Sequence, residues 1–166
     1  MPDITASPLA PPRRIVTSHH DDGLATVKYD SLVSPESVGD GTNLARLWCS
    51  TEHPADVSST QDQALVNPGM PPTGSGLSAY DLPPRFEGAF HRSITLDYVV
   101  VAKGSVVLGL DGGSKVTLNE GDVVVQRATM HSWSNQTDQW ARVYGIMLPA
   151  QTPVVNGKEL EAAWPF

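Results

Sequence analysis

The stretch HRSITLDYVVVAKG, residues 91–104, decides how this chain is read. Side chains alternate across a strand, so His91, Ser93, Thr95 and Asp97 share one face, which continues into Val99 and Val101. That face is polar at one end and apolar at the other. On the inside of a barrel such polar groups must be hydrogen-bonded, solvated in a cavity or bound to a ligand, because an unpaired one costs about 1–3 kcal/mol. The pattern predicts the mouth of a pocket. Arg92 and Tyr98, at intervening positions, are expected to point away from it.

Outward from this stretch, SVVLGL, KVTLN, DVVVQ, MHSWSN and WARVYGIML are short β-rich runs. Gly104, DGG at 111–113, EGD at 120–122 and QTDQ at 136–139 punctuate them. Closely spaced strands with glycine turns predict an antiparallel sandwich or barrel. Upstream, residues 13–18 and 24–29 read as two strands about the turn-prone HHDDG, and LARLWCS at 44–50 as another. Residues 1–12, rich in proline and small residues, read as a flexible tail or extended arm. Residues 53–84 hold Pro54, Pro68, Pro71, Pro72, Pro83 and Pro84, and read as one long connection lying across a cavity mouth. Helical periodicity is confined to a final turn in GKELEAAW.

A length of 166 residues suits one domain, 13–166, large enough to bury a core that holds a pocket. The net charge of -7 disfavours nucleic acid and anionic membrane as partners, leaving small molecules and other proteins. Cys49, the one cysteine, excludes an internal disulfide framework and reads as a small buried hydrophobe. No run is apolar enough to suggest a signal or a membrane span, so a cytoplasmic protein is expected. His19 and His20 with Asp21 and Asp22 read as a polar turn, since adjacent strand histidines point to opposite faces.

Taken with the second half's turns, the residues resemble the two motifs of the cupin superfamily. His91 matches the first histidine of motif one, Asp97 stands at its glutamate, and Gly104 at its closing glycine. In motif two, Gly121, His131 and Asn135 match. Ser93 occupies the place of the second histidine, Asp97 is shorter than glutamate, and QRATMH leaves the second motif one residue short. The chain is also similar to small single-domain cupins of fungal and bacterial metabolic gene clusters, reading HRTxSxDY and GDVVVQRGTxHxWxN. The resemblance implies a jelly-roll β-barrel, here all-β with an N-terminal arm and a long mid-chain loop, and a homodimer.

His91, His131 and Asp97 are the expected catalytic residues. A neutral imidazole can take a proton at cellular pH while a carboxylate orients or stabilises it. The expected activity is therefore a metal-independent lyase or isomerase of secondary metabolism, of dehydratase, decarboxylase or cyclase type. One alternative is a metal-dependent oxygenase with Fe, Zn, Mn or Ni held by His91, Asp97 and His131, two histidines and a carboxylate being a known set for non-haem iron. Another is a non-catalytic small-ligand binder. No cofactor is favoured, because Ser93 is a poor ligand and aspartate reaches less far than glutamate. Ser93, Thr95, Gln126, Trp133, Arg85 and Arg127 are the expected substrate contacts. Trp133 reads as pocket wall or as core, and Arg127 as a carboxylate clamp or as a solvated loop arginine.

Overall fold

The β-branched run at the centre of the quoted stretch folds as a strand whose alternate residues Thr95, Asp97, Val99 and Val101 are buried. The structure, a computed structural model, describes residues 6–67, 69 and 73–165. Its strands are β1 (Arg13–His19), β2 (Ala25–Leu32), β3 (Glu36–Ser37), β4 (Asn43–Ser50) and β5 (Ser75–Leu82). They continue as β6 (Phe86–Glu87), β7 (Thr95–Lys103), β8 (Ser105–Leu110), β9 (Lys115–Asn119) and β10 (Val123–Arg127). The last are β11 (His131–Asn135), β12 (Ala141–Pro149), β13 (Val154–Val155) and β14 (Lys158–Glu159). No helix among the described residues is long and apolar enough to cross a membrane.

Six strands form one sheet in the order β10-β7-β12-β5-β4-β3, and four form the facing sheet, β6-β11-β8-β9. This is the all-β jelly-roll barrel expected from the sequence. Between the sheets lie Leu82, Val99, Val101, Val106, Leu108, Leu118, Ala141 and Val143. They close one end of the barrel and leave the polar end of β7 open. Gly104 (φ 76°) and Gly121 (φ 90°) supply left-handed turns that let β8 and β10 fold back on their neighbours.

Two expectations change, and a third is narrowed to one of its alternatives. The connection 53–84 is shorter than expected, because SGLSAYDL forms β5 between β4 and β12 at the middle of the larger sheet. The prolines flank that strand rather than interrupt it. The glycine leading into it is required, since a Cβ on Gly74 would collide with Ser50. The segment GKELEAAW is not helical; Asn156 and Gly157, both at positive φ, turn the β13–β14 hairpin. Finally, residues 7–12 are an extended arm bonded to the body: Ser7 N–H donates to Asn43 Oδ1 at 2.9 Å, and Ala10 O accepts from Arg142 Nη1 at 2.7 Å. Residues 1–5 lie outside the described residues. The arm crosses the outer face of the larger sheet, where Arg142 and Asp81 form a buried two-pronged ion pair.

Candidate active site

Residues 91–104 are two pieces. His91 makes an antiparallel bridge with His131 in the smaller sheet, whereas Thr95 onward pairs with β10 and β12 in the larger one. The chain crosses from sheet to sheet at Ser93 and Ile94. The two imidazoles therefore enter from one wall and Asp97 from the other, and all three line one cavity of about 320 Å³. That size falls at the lower end of small-molecule sites.

The backbones of His91 and His131 bond reciprocally, at 2.9 and 3.0 Å, and their ring centroids lie 4.4 Å apart. His91 Nδ1 is 3.1 Å from Ala89 O, and His131 Nδ1 is 2.9 Å from Thr129 O. A carbonyl only accepts, so Nδ1 is the protonated nitrogen of each neutral ring and Nε2 keeps its lone pair. Burial pushes the His131 imidazole down to about 4, with the neighbouring His91 adding to the shift against the bond to Thr129. His131 is thus held neutral.

Asp97 is buried, and its Oδ1 has no hydrogen-bond partner. Burial pushes its carboxyl up to about 6, against the opposing pull of the Thr95 hydroxyl and of His91. Thr95, fully buried, shares a 2.7 Å hydroxyl contact with Ser93. These environments reverse the usual order of acidity: the carboxyl titrates above the imidazole. Groups displaced from their ordinary values in one cleft mark a candidate catalytic centre.

Of the expected contacts, Ser93 and Trp133 line this cavity. Trp133 stands edge-on to His131 at 6.1 Å. Thr95 lies beneath the surface layer. Gln126 is buried beside Asp97 in the β10–β7 register, but its amide donates to Thr129 O at 3.0 Å, so it braces the turn that holds His131. Arg85 and Arg127 do not line the cavity. Arg85 holds Asp138 in a two-pronged exposed pair and donates to Gln136 O, clamping a surface turn from a left-handed backbone (φ 58°). Arg127, next to inward-facing Gln126, is on the opposite face of β10 and exposed. Asn135 is fully buried, its amide donating to Leu82 O, Pro83 O and Gln139 O, so it fixes the barrel and not a ligand.

The sequence reading missed Trp164, Tyr80 and Met147, all lining the cavity. Ala163 pairs with Arg92, which lays the Trp164 ring on His91 at 5.5 Å and 13°. An aromatic in the polar run EAAWPF was the available signal. Tyr80 was concealed in the supposed loop.

Two imidazoles with backbone-tied Nδ1 atoms are suited to ligating a metal. A catalytic metal site takes three protein ligands, however, and among the described residues no three His, Cys, Asp or Glu side chains are placed to hold an ion. Ser93, where a further donor would stand, is engaged with Thr95. The donor set present does not fit a resident metal.

No family model matches the chain. It is 35% identical over 158 residues to the oryzines biosynthesis cluster protein J of Aspergillus oryzae, spanning 89% of this chain and 88% of that protein. It is 30% identical over 157 residues to a cupin-domain-containing oxidoreductase of Aspergillus ruber, spanning 89% of this chain and 77% of the other. In shape it is similar to the cupin domain of Schizosaccharomyces pombe Cnp3, with a TM-score of 0.55 at 13% identity over 82% of this chain and 87% of that one.

Proposed function

This chain belongs to the cupin superfamily, and from that premise we propose that it is a small-molecule lyase or isomerase of secondary metabolism working by acid-base catalysis. Its likeness to a biosynthesis cluster protein supports the metabolic setting. The observation that carries the reaction type is the pairing, in one cavity, of a carboxyl raised to about 6 with an imidazole lowered to about 4.

At neutral pH Asp97 is mostly ionised, with a conjugate acid close enough to the operating pH to take a proton and return it efficiently. It removes a proton from the substrate and delivers it either to a second carbon, which isomerises, or to a departing hydroxyl, which leaves as water. His91 and His131 present Nε2 lone pairs, so the group they bind is a hydrogen-bond donor such as a hydroxyl or enol. Trp133 and Trp164 wall the imidazoles and reduce water access. Each such acid or base typically contributes about 10²–10⁴-fold.

A second reading, an oxidoreductase, is favoured by the name of the Aspergillus ruber relative. One experiment separates them. Hydroxy and keto acids are incubated with the protein in deuterated water with chelator present, and mass spectrometry follows carbon-bound deuterium. Incorporation that is lost in Asp97→Asn and reduced in His91→Ala and His131→Ala supports the acid-base reading. Turnover that requires added iron and dioxygen overturns it. The expected homodimer and cytoplasmic setting belong to the same proposal; the exposed Ile15, Val27 and Leu32 of the β1–β2 hairpin support self-association, which light scattering tests.

A further inference from the structure

The catalytic cavity adjoins a second lobe of about 270 Å³, and Tyr80, Gly145 and Met147 line both. Strand register explains the adjacency. Asp97 pairs with Met147, Met147 with Gly76 and Gly76 with Cys49; one step along, Val99, Gly145, Ser78 and Arg46 form the next row. Asp97 and Arg46 thus stand on the same face of the larger sheet, Asp97 buried on β7 and Arg46 exposed on β4. Three interstrand spacings separate those strands, roughly 14 Å. Gly145 lets the Tyr80 ring lie against β12 between the lobes, because a Cβ there would lie 3.3 Å from that ring.

No aspartate or glutamate lines the second lobe, and Arg46 is its one charged side chain among the described residues. Arg13, Arg14, Arg85 and Arg142 each hold an aspartate. Arg46 is exposed, has no carboxylate within ion-pairing distance and makes no hydrogen bond among the described residues. Burial pushes both the Tyr80 phenol and the Cys49 thiol up, and the field of Arg46 opposes that shift at each. The outer wall is Gln63, Val66, Asn67 and Gly69, from the segment between β4 and β5. Its start is held to the body: Arg14 grips Asp62 with two bonds of 2.7 Å, and Gln63 O accepts from Cys49 Sγ at 3.1 Å.

We infer that this lobe binds a carboxylate carried by the far end of the substrate, with Arg46 as its counter-ion, while a hydroxyl at the near end meets His91 and His131. The inference rests on the acid-base reading of the catalytic lobe for its second half only. A single guanidinium with neutral amides nearby matches a planar, singly charged carboxylate. A phosphate would call for further cations or a nest of backbone N–H groups. The substrate class is therefore an extended hydroxy acid.

The test is isothermal titration of a chain-length series of ω-hydroxy fatty acids, their primary amides and the parent fatty acids. In the wild-type protein at least one chain length is expected to bind as the hydroxy acid about tenfold more tightly than as its amide. Arg46→Gln should bring that ratio near one, and Arg46→Lys should retain part of it, which controls for folding. His131→Gln should erase the preference for the hydroxyl and leave the preference for the acid. Equal binding of acid and amide by the wild type, survival of the preference in Arg46→Gln, or binding of none of these acids overturns the inference. Because binding is read without turnover, loss of acid preference in Arg46→Gln alongside undiminished deuterium incorporation in Asp97→Asn would leave the lobe assigned and the acid-base reading refuted.

Discussion

His91 and His131 lie opposite each other in an antiparallel bridge, each backbone N–H bonded to the other's carbonyl, with ring centroids 4.4 Å apart. The two rings cannot both be protonated at this separation, since adjacent imidazolium charges would repel in a poorly solvated cavity. The carbonyls of Ala89 and Thr129 set both tautomers, so the geometry of the bridge also fixes which nitrogens face the ligand.

Asp97 and His131 have opposing effects on stability as pH changes. The Asp97 carboxyl is raised from 3.8 to about 6, so its contribution is fully present below about 4 and is lost as pH rises through 6. The His131 imidazole is lowered from 6.5 to about 4, so its contribution is present above 6.5 and is lost as pH falls toward 4. Each is worth at most roughly 3 kcal/mol, and together they nearly cancel between pH 4 and 6. Asp97→Asn should be more stable than wild type at pH 8 and markedly less active, and should lose stability steeply on acidification. His131→Gln should show the reverse slope. Thermal denaturation across pH 4–8 reads both, and parallel curves would refute the assignment.

Asp81→Ala leaves Arg142 charged, buried and unpaired beneath the N-terminal arm. A loss of about 3–5 kcal/mol is expected, with faster amide exchange at Ser7, whose partner Asn43 is directly opposite Asp81 in the β4–β5 register. Chemical denaturation monitored by circular dichroism gives the first, hydrogen exchange the second.

Trp164→Ala should leave the barrel intact and loosen the last residues. Stacking of this kind is worth about 0.5–1.5 kcal/mol, so the Ala163 amide, bonded to Arg92 O at 2.9 Å, should exchange up to about tenfold faster. Unchanged exchange would show that the ring does not anchor the C-terminal segment.

Gly88→Ala places a methyl 2.5 Å from Trp133 O, where Gly88 N–H now bonds. The two strands must part, at a cost of about 1–3 kcal/mol, and Trp133 must shift against His131. A lower melting temperature together with altered near-ultraviolet dichroism is the expected result.

The sequence by itself determined the strand-rich architecture and the alternation that turns Thr95, Asp97, Val99 and Val101 inward. Alternation with a period of two is local, so it survives without knowledge of any partner strand. Which groups meet was decided elsewhere. The chain changes sheets at Ser93 and Ile94, and nothing in the local pattern distinguishes that crossing from a continuous strand. Arg85 turned outward because Asp138, distant in sequence, holds it. Tyr80 entered the barrel because β5 pairs between β4 and β12, and Trp164 reached His91 because the C-terminal segment pairs with Arg92. These are long-range pairings whose register depends on several strands at once, and the displaced acidities of Asp97 and His131 follow from the burial that those pairings create.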